Sequence, residues 1–249
     1  VSGLYEALKE GKTLIFGHRG ASADAPMNTI PAFDLAAEQG ADGIELDVQI
    51  SADDQLVVIH DKTVDATTNG TGLVKAQTLG DLQALDAGGW KSDTYAGTMI
   101  PTLDDVFEAV GQRLFINVEI KTTTWRKTGI EALVAACIQR HNMSKRVIVS
   151  SFNPLALRRY QRIDDTMIGL LTAPDIMLFA RALAWGLPYT AYHPHERTVN
   201  PSMVQTLKKK GKFINVWTIN DVQRARVLRD MGVNTIMTDK PGLLHDGLA

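Results

Sequence analysis

A carboxylate pair two residues apart on a β-patterned run stands out in the sequence: Glu45 and Asp47 within Gly43-Ile44-Glu45-Leu46-Asp47-Val48-Gln49-Ile50. Successive strand side chains alternate in direction, so both carboxylates point to one face while Ile44, Leu46 and Val48 point to the other. A polar turn at residues 51–55 separates this run from a second one, residues 56–60, which is a hairpin signal. A turn centred between Asp53 and Asp54 predicts His60 opposite Asp47. Two carboxylates facing a histidine have the makings of a metal site with an acid or base attached. The bland alternative is a Glu-x-Asp pair on the solvated face of an antiparallel sheet. The Asp-Gly-Ile approach and the helical stretch before it argue instead for a β/α unit buried on both faces. In that setting two inward carboxylates are costly unless paired or metal-bound.

Further polar residues fall at the ends of later and earlier β-patterned runs: His18 and Arg19, Glu119 and Lys121, Ser151 and Phe152, His193, and Trp217. Glu119 and Lys121 repeat the i, i+2 spacing of the first pair, so they too share a face. Three carboxylates, Glu45, Asp47 and Glu119, with no cysteine or histidine pair among them, suit a hard cation such as Mg2+ or Ca2+ better than zinc. The competing reading is a structural ion network around Lys121. His18 and His60, with Arg19 and Lys121, would surround the cation, an arrangement that fits an anionic substrate needing acid and base help. His193, between Tyr192 and Pro194, reads equally well as a substrate contact or a capped strand end, and Trp217 as core or as a platform for the organic part of a substrate. His141, His195 and His245 are expected on exposed helix ends or loops, and Lys208 to Lys210 as a solvated helix terminus.

The elements that must position these groups follow a regular alternation. Strands are expected to start at residues 14, 43, 115, 147, 167, 189, 213 and 233, with helices at residues 4–9, 30–39, 102–110 and 129–140 and after Asn153, Pro174, Asn200, Asn220 and Pro241. Thr29, Asn153, Asn200 and Asn220 are the predicted N-caps. Eight strand–helix repeats in about 250 residues are the mark of a closed parallel (β/α)8 barrel, the TIM barrel. An open doubly wound sheet would need a glycine-rich phosphate loop after the first strand, and none is there. Barrel active sites lie at the carboxyl ends of the strands, where the ionisable residues above collect. Residues 62–97 are too long for an ordinary loop and carry regular turns and Trp90, which predicts an ordered cap. The chain is expected to form one barrel domain, residues 1–249, with residues 51–110 as a small insertion.

Composition narrows the class. The chain has 249 residues, 45% hydrophobic and 22% charged, with a net charge of −2 and a pI near 6.3. No basic field marks a nucleic-acid partner. No apolar run approaches the roughly 18 residues that cross a bilayer, so the chain reads as soluble with no transmembrane segment. Cys137 lies in an apolar helical stripe and is expected to be buried and unpaired. Residues 1–11 lack the apolar core of a signal peptide. A cytoplasmic location is the expectation, with export after removal of an upstream signal left open, and oligomeric state is not legible.

The ordered set His18-Arg19-Gly20, Pro26-Met27-Asn28-Thr29, Gly43-Ile44-Glu45-Leu46-Asp47, Val58-Ile59-His60-Asp61 and Glu119-Ile120-Lys121 resembles the glycerophosphodiester phosphodiesterase family from about Leu14 to Pro241. His-Arg-Gly alone is common, but the set with these spacings is not. The resemblance implies a TIM barrel of the phospholipase C-like phosphodiesterase type with a small insertion after the second strand. It implies metal-dependent hydrolysis of glycerophosphodiesters, such as glycerophosphocholine and glycerophosphoethanolamine, to sn-glycerol 3-phosphate and an alcohol. It assigns Glu45, Asp47 and Glu119 to one divalent cation, Mg2+ or Ca2+, His18 and His60 to acid and base, and Arg19 and Lys121 to the phosphate. Phe152, His193 and Trp217 remain further candidates for contact with a small-molecule phosphodiester. One position departs: Met27 stands where the family usually has glutamate. A lysophospholipase D-like activity is the neighbouring alternative, for which Trp90 and Tyr95 offer an apolar rim. A non-catalytic phosphoester-binding relative is a third, permitted by Met27 and disfavoured by the intact histidines and carboxylates.

Overall fold

In the computed structural model, which describes residues 3–122, 124, 126–175 and 183–249, eight parallel strands close on themselves. They are β1 (Leu14–His18), β2 (Gly43–Ile50), β4 (Phe115–Ile120), β5 (Val147–Ser151), β6 (Met167–Thr172), β7 (Ala191–Pro194), β8 (Phe213–Val216) and β9 (Thr235–Thr238), and the short β3 (Leu56–Val58) pairs antiparallel with β2. The ring is completed by β1, which pairs with β2 on one side and β9 on the other. Around it lie α1 (Leu4–Lys9), α2 (Ile30–Glu38), α3 (Leu79–Gln83), α4 (Leu103–Val110), α5 (Ile130–Arg140), α6 (Pro154–Tyr160), α7 (Pro201–Lys209), α8 (Val222–Met231) and α9 (Pro241–Leu248). This is the expected TIM barrel. Two strands start two residues later than expected, at Ala191 and Thr235. The helix expected after Pro174 falls largely on residues 176–182, outside the described residues.

Alternation along each strand divides the side chains between two environments. Outward residues such as Ile44, Leu46, Val48, Val118 and Val149 pack under the helices. Inward ones form a floor of Leu14, Phe16, Ile148, Ala191 and Met237, against which Leu4 and Leu8 of α1 close the amino end. Above that floor the interior turns polar, with Asn117, Ser150, His193 and Asn215 all buried. The carboxyl ends then carry Glu45, Asp47 and Glu119. Between the barrel and α4, residues 51–101 gather a small core of their own: Val57, Ile59, Val64, Val74, Leu82, Ala87 and Ile100. Lys91 ties this unit to the β1–α2 loop by donating to the Ser22 and Ala23 carbonyls at 2.9 and 2.8 Å.

Three local expectations are corrected. The hairpin register is Val48–Val58, Gln49–Val57 and Ile50–Leu56, so Ile59, not His60, lies opposite Asp47. The Ile59 N–H donates to the Asp47 carbonyl at 3.0 Å. The turn has an odd number of residues: Ser51 N–H reaches the Gln55 carbonyl at 3.0 Å, and Asp54 takes a left-handed conformation with φ 59°. That places the apex on Asp53 and shifts the pairing by one. Thr29 does not cap α2 with its side chain; its hydroxyl donates to the Pro26 carbonyl at 2.6 Å. The N-cap of α8 is Asp221 rather than Asn220, with Arg224 N–H donating to the Asp221 carboxylate at 2.7 Å. Asn153 and Asn200 do cap α6 and α7.

Candidate active site

The three carboxylates meet as their strands dictate. Asp47 and Glu119 are register partners on β2 and β4, and Glu45 sits one inward position below Asp47. One oxygen from each of Glu45, Asp47 and Glu119 lies within 4.8 Å of the others, and all three residues are buried. Two cations hold them. Lys121 Nζ is 2.9 Å from Glu119 Oε1 and 3.3 Å from Asp47 Oδ1, while Arg19 Nε is 3.3 Å from Asp47 Oδ2. The Arg19 backbone N–H also donates to Glu45 Oε2 at 3.1 Å. Arg19 itself takes a left-handed φ of 59°, a strained conformation for a residue with a Cβ and one that concentrates at functional sites.

Burial and repulsion from Asp47 and Glu119 push the Glu45 carboxyl well above its ordinary range. Burial, then Asp47, pushes Glu119 up to about 7. Burial acts on Asp47 in the same sense, but Lys121 and Arg19 outweigh it and hold that group below its ordinary value. Three enclosed carboxylates against two cations leave an excess of hard oxygen donors. This donor set fits one divalent cation of the Mg2+ or Ca2+ kind.

Each of the two candidate histidines has a carboxylate of its own. His18 Nδ1 lies 2.7 Å from Asp239 Oδ1, leaving Nε2 turned toward Glu45 at 4.0 Å. His60 Nδ1 lies 2.6 Å from Asp61 Oδ1. Although its register differs from expectation, His60 still reaches the site: it lines one cleft with Arg19 and Met27 and a larger one with Glu119 and Lys121. Gln49 holds that segment in place, its side-chain amide donating to the carbonyls of Ile59, His60 and Asp61. Burial lowers the His60 pKa, which Asp47 only partly offsets.

Phe152 and Trp217 stand at the barrel mouth with ring centroids 5.6 Å apart, edge to face. His193 does not join them. Its side chain is fully enclosed within the barrel, with Nε2 3.0 Å from Asn215 Nδ2, so its reading as a substrate contact is corrected. A Cβ on Gly169 would collide with its ring, which shows how closely the interior is built around it. His141 and His195 are also less exposed than expected. His141 Nε2 binds Asp104 at 2.7 Å, and His195 packs on Trp217 with centroids 4.9 Å apart. Cys137 is buried and unpaired, as expected.

Three positioning groups carried no sequence-level assignment: Asp239, Gln49 and Asn28. Asn28, itself left-handed with φ 60°, donates to Asp47 Oδ2 at 2.8 Å and accepts from the Asp47 N–H at 3.3 Å. Only its place in the motif around Met27 pointed to it. Met27 Sδ accepts from Arg19 Nη1 at 3.2 Å, so the departing residue touches the cation that binds Asp47.

Comparison with known proteins settles the family. The glycerophosphoryl diester phosphodiesterase family model matches residues 18–243. The chain belongs to that family. A glycerophosphodiester phosphodiesterase of Caldanaerobacter subterraneus subsp. tengcongensis is 42% identical over 239 residues, covering 94% of this chain and 96% of that relative. Among solved structures, a glycerophosphodiester phosphodiesterase from Agrobacterium tumefaciens superposes with a TM-score of 0.81 at 33% identity, over 94% of this chain and 99% of that one. An Oleispira antarctica phosphodiesterase, solved in complex with the product sn-glycerol-3-phosphate, superposes with a TM-score of 0.87 at 28% identity, over 97% of this chain and 98% of that one. The chain is thus a phosphoric diester hydrolase of the glycerophosphodiester phosphodiesterase type. Among the described residues, no helix is long and apolar enough to cross a membrane.

Proposed function

We propose that the protein hydrolyses glycerophosphodiesters, glycerophosphocholine and glycerophosphoethanolamine among them, to sn-glycerol 3-phosphate and an alcohol, and that it does so with a divalent cation and two histidines. The observation that carries this reading is the meeting of Glu45, Asp47 and Glu119 with Arg19 and Lys121 at one barrel mouth. Glu45, Asp47 and Glu119 would hold the cation, which when bound adds positive charge where the phosphoryl oxygens gain negative charge. Arg19 and Lys121 bind the phosphoryl oxygens and offset the charge that builds there. Asn28 keeps Asp47 oriented from both its carboxylate and its backbone.

His60, with its pKa held down by burial, enters the reaction neutral and accepts the proton of the attacking oxygen. That oxygen comes from water or from the glycerol hydroxyl of the substrate, which would give a transient cyclic phosphate. His18, steadied by Asp239, protonates the departing alkoxide. Phe152 and Trp217 offer the organic part of the substrate an apolar wall. The whole chain, residues 1–249, acts as one barrel domain with the insertion at residues 51–110 as its cap. A cytoplasmic location accords with the single unpaired thiol.

Exposed Leu73, Trp90 and Met99 on the insertion favour a second reading, a lysophospholipase D-like activity on diesters that keep one acyl chain. One assay separates the readings: release of glycerol 3-phosphate from a panel of headgroup diesters, with and without EDTA, beside release of headgroup from a lysophospholipid. Glycerol 3-phosphate lost on chelation supports the first; turnover of the lysophospholipid alone supports the second.

A further inference from the structure

The larger cleft at the barrel mouth, of about 550 Å3, runs outward from Glu119, Lys121 and His60 between the insertion and Thr122, Thr124 and Thr128. Lys62 and Lys75 of the insertion form one wall, and Thr124, Thr128 and Phe152 form part of the other. The charges in this cleft do not balance. Among its described residues three lysines, Lys62, Lys75 and Lys121, outnumber two acids, Asp61 and Glu119, and Glu119 is already engaged by Lys121 at 2.9 Å. Neither Lys62 nor Lys75 has a side-chain hydrogen bond or an ion pair among the described residues. The chain as a whole carries a net charge of −2, so an excess of ammonium groups beside the reacting centre runs against the overall balance.

A glycerophosphodiester has two arms on its phosphate. Glycerol is uncharged in every such substrate, so only the variable alcohol arm can use the two ammonium groups. Resting on the activity proposed above, we infer that this cleft selects an alcohol arm carrying negative charge, such as a second phosphate, over a cationic arm such as choline. Lys121 and Arg19 take the scissile phosphate. Lys62 and Lys75 meet the anion at the far end of the arm, and the threonine hydroxyls meet the polar groups between. Both lysines are solvated at their tips, so the contribution per pair is small and falls with added salt.

The test compares kcat/KM for three diesters at low salt: glycerophosphocholine, glycerophosphoinositol and glycerophosphoinositol 4-phosphate. The last two differ only by the phosphate on the arm. The wild type should prefer the phosphorylated inositol arm over choline by about 5- to 20-fold, a range set by two exposed ion pairs, and 0.5 M NaCl should erase most of that preference. The double variant Lys62→Glu, Lys75→Glu should invert the order. Equal rates on all three in both proteins, or an order unchanged by the double variant, would overturn the inference and leave the phosphodiesterase reading standing. A wild type that cleaves none of the three defeats both.

Discussion

The imidazole of His18 and the carboxylate of Asp239 face each other at 2.7 Å across the seam where the last strand of the barrel meets the first. Burial alone would raise the Asp239 pKa; the bonds to His18, Asn220 and Ser22 reverse that and bring it down to about 2. The carboxylate therefore stays charged, fixes Nδ1 as the donor and turns Nε2 to the substrate side. Asp239→Asn should lower kcat by about 10- to 10²-fold, a part of the 10²- to 10⁴-fold that a positioned acid or base supplies. KM should change little. Steady-state rates on one diester check this, and an unchanged kcat would remove Asp239 from the acid and base machinery.

Replacing His18 or His60 with alanine should cost about 10² to 10⁴ in kcat. Neither ring belongs to a hydrophobic core, so the circular dichroism spectrum and melting temperature should stay near those of the wild type. Normal turnover by His60→Ala would assign the base elsewhere, with water chains from Asp61 the next place to look.

Exhaustive chelation should abolish turnover, and Mg2+ or Ca2+ added back should restore it. Glu119→Gln should weaken that restoration by replacing one of three carboxylates with a neutral amide, which leaves Lys121 with Asp47 as its remaining ion-pair partner. Full activity in chelated protein that elemental analysis finds metal-free would contradict the cation assignment.

Met27→Glu places a carboxylate against the Arg19 guanidinium, where the Met27 sulfur now accepts from Nη1. Because the three proposed ligands lie on other strands, kcat/KM should move by less than about tenfold, the low end of the range for a group that acts through a ligand's neighbour. Glu45→Ala should remove activity. A wild type that is silent until Met27 becomes glutamate would point to a non-catalytic binding role.

Burial holds the His193 imidazole down to about 3, against about 6.5 in an unfolded chain. Between those values the unfolded chain binds one proton more than the folded one. Stability from this group is therefore complete above pH 6.5 and lost as pH falls toward 3, by about 1.4 kcal/mol per pH unit. Urea midpoints at pH 7, 5.5 and 4.5 should fall less steeply for His193→Gln than for the wild type. Parallel slopes would mean that His193 takes its proton without unfolding.

Strand periodicity and helix caps made the barrel legible: alternating apolar runs, Asn153-Pro154 and Asn200-Pro201 each announce an element that the structure contains. The carboxylate trio was legible because i, i+2 spacing on two strands leaves no choice of face. What composition does not encode is the parity of a turn. Asp54 in a left-handed conformation moved the hairpin by one residue, and nothing in Ser-Ala-Asp-Asp-Gln specifies that. Depth along a strand was equally hidden. With β7 starting at Ala191 and running to Pro194, His193 lies a layer inside the mouth. Asp239 was missed because it is 221 residues from its partner; pairing the last strand with the first, as a closed barrel requires, would have placed Thr238-Asp239 beside Gly17-His18.

That seam also gives the molecule a birth order. A ribosome releases β1 well before β9, so until β9 emerges the first strand has one unsatisfied edge and His18 lacks its carboxylate. A nascent chain with every other site residue already in place would still lack the carboxylate that orients its proposed acid. Ring closure by β9 is what brings the proposed acid its partner.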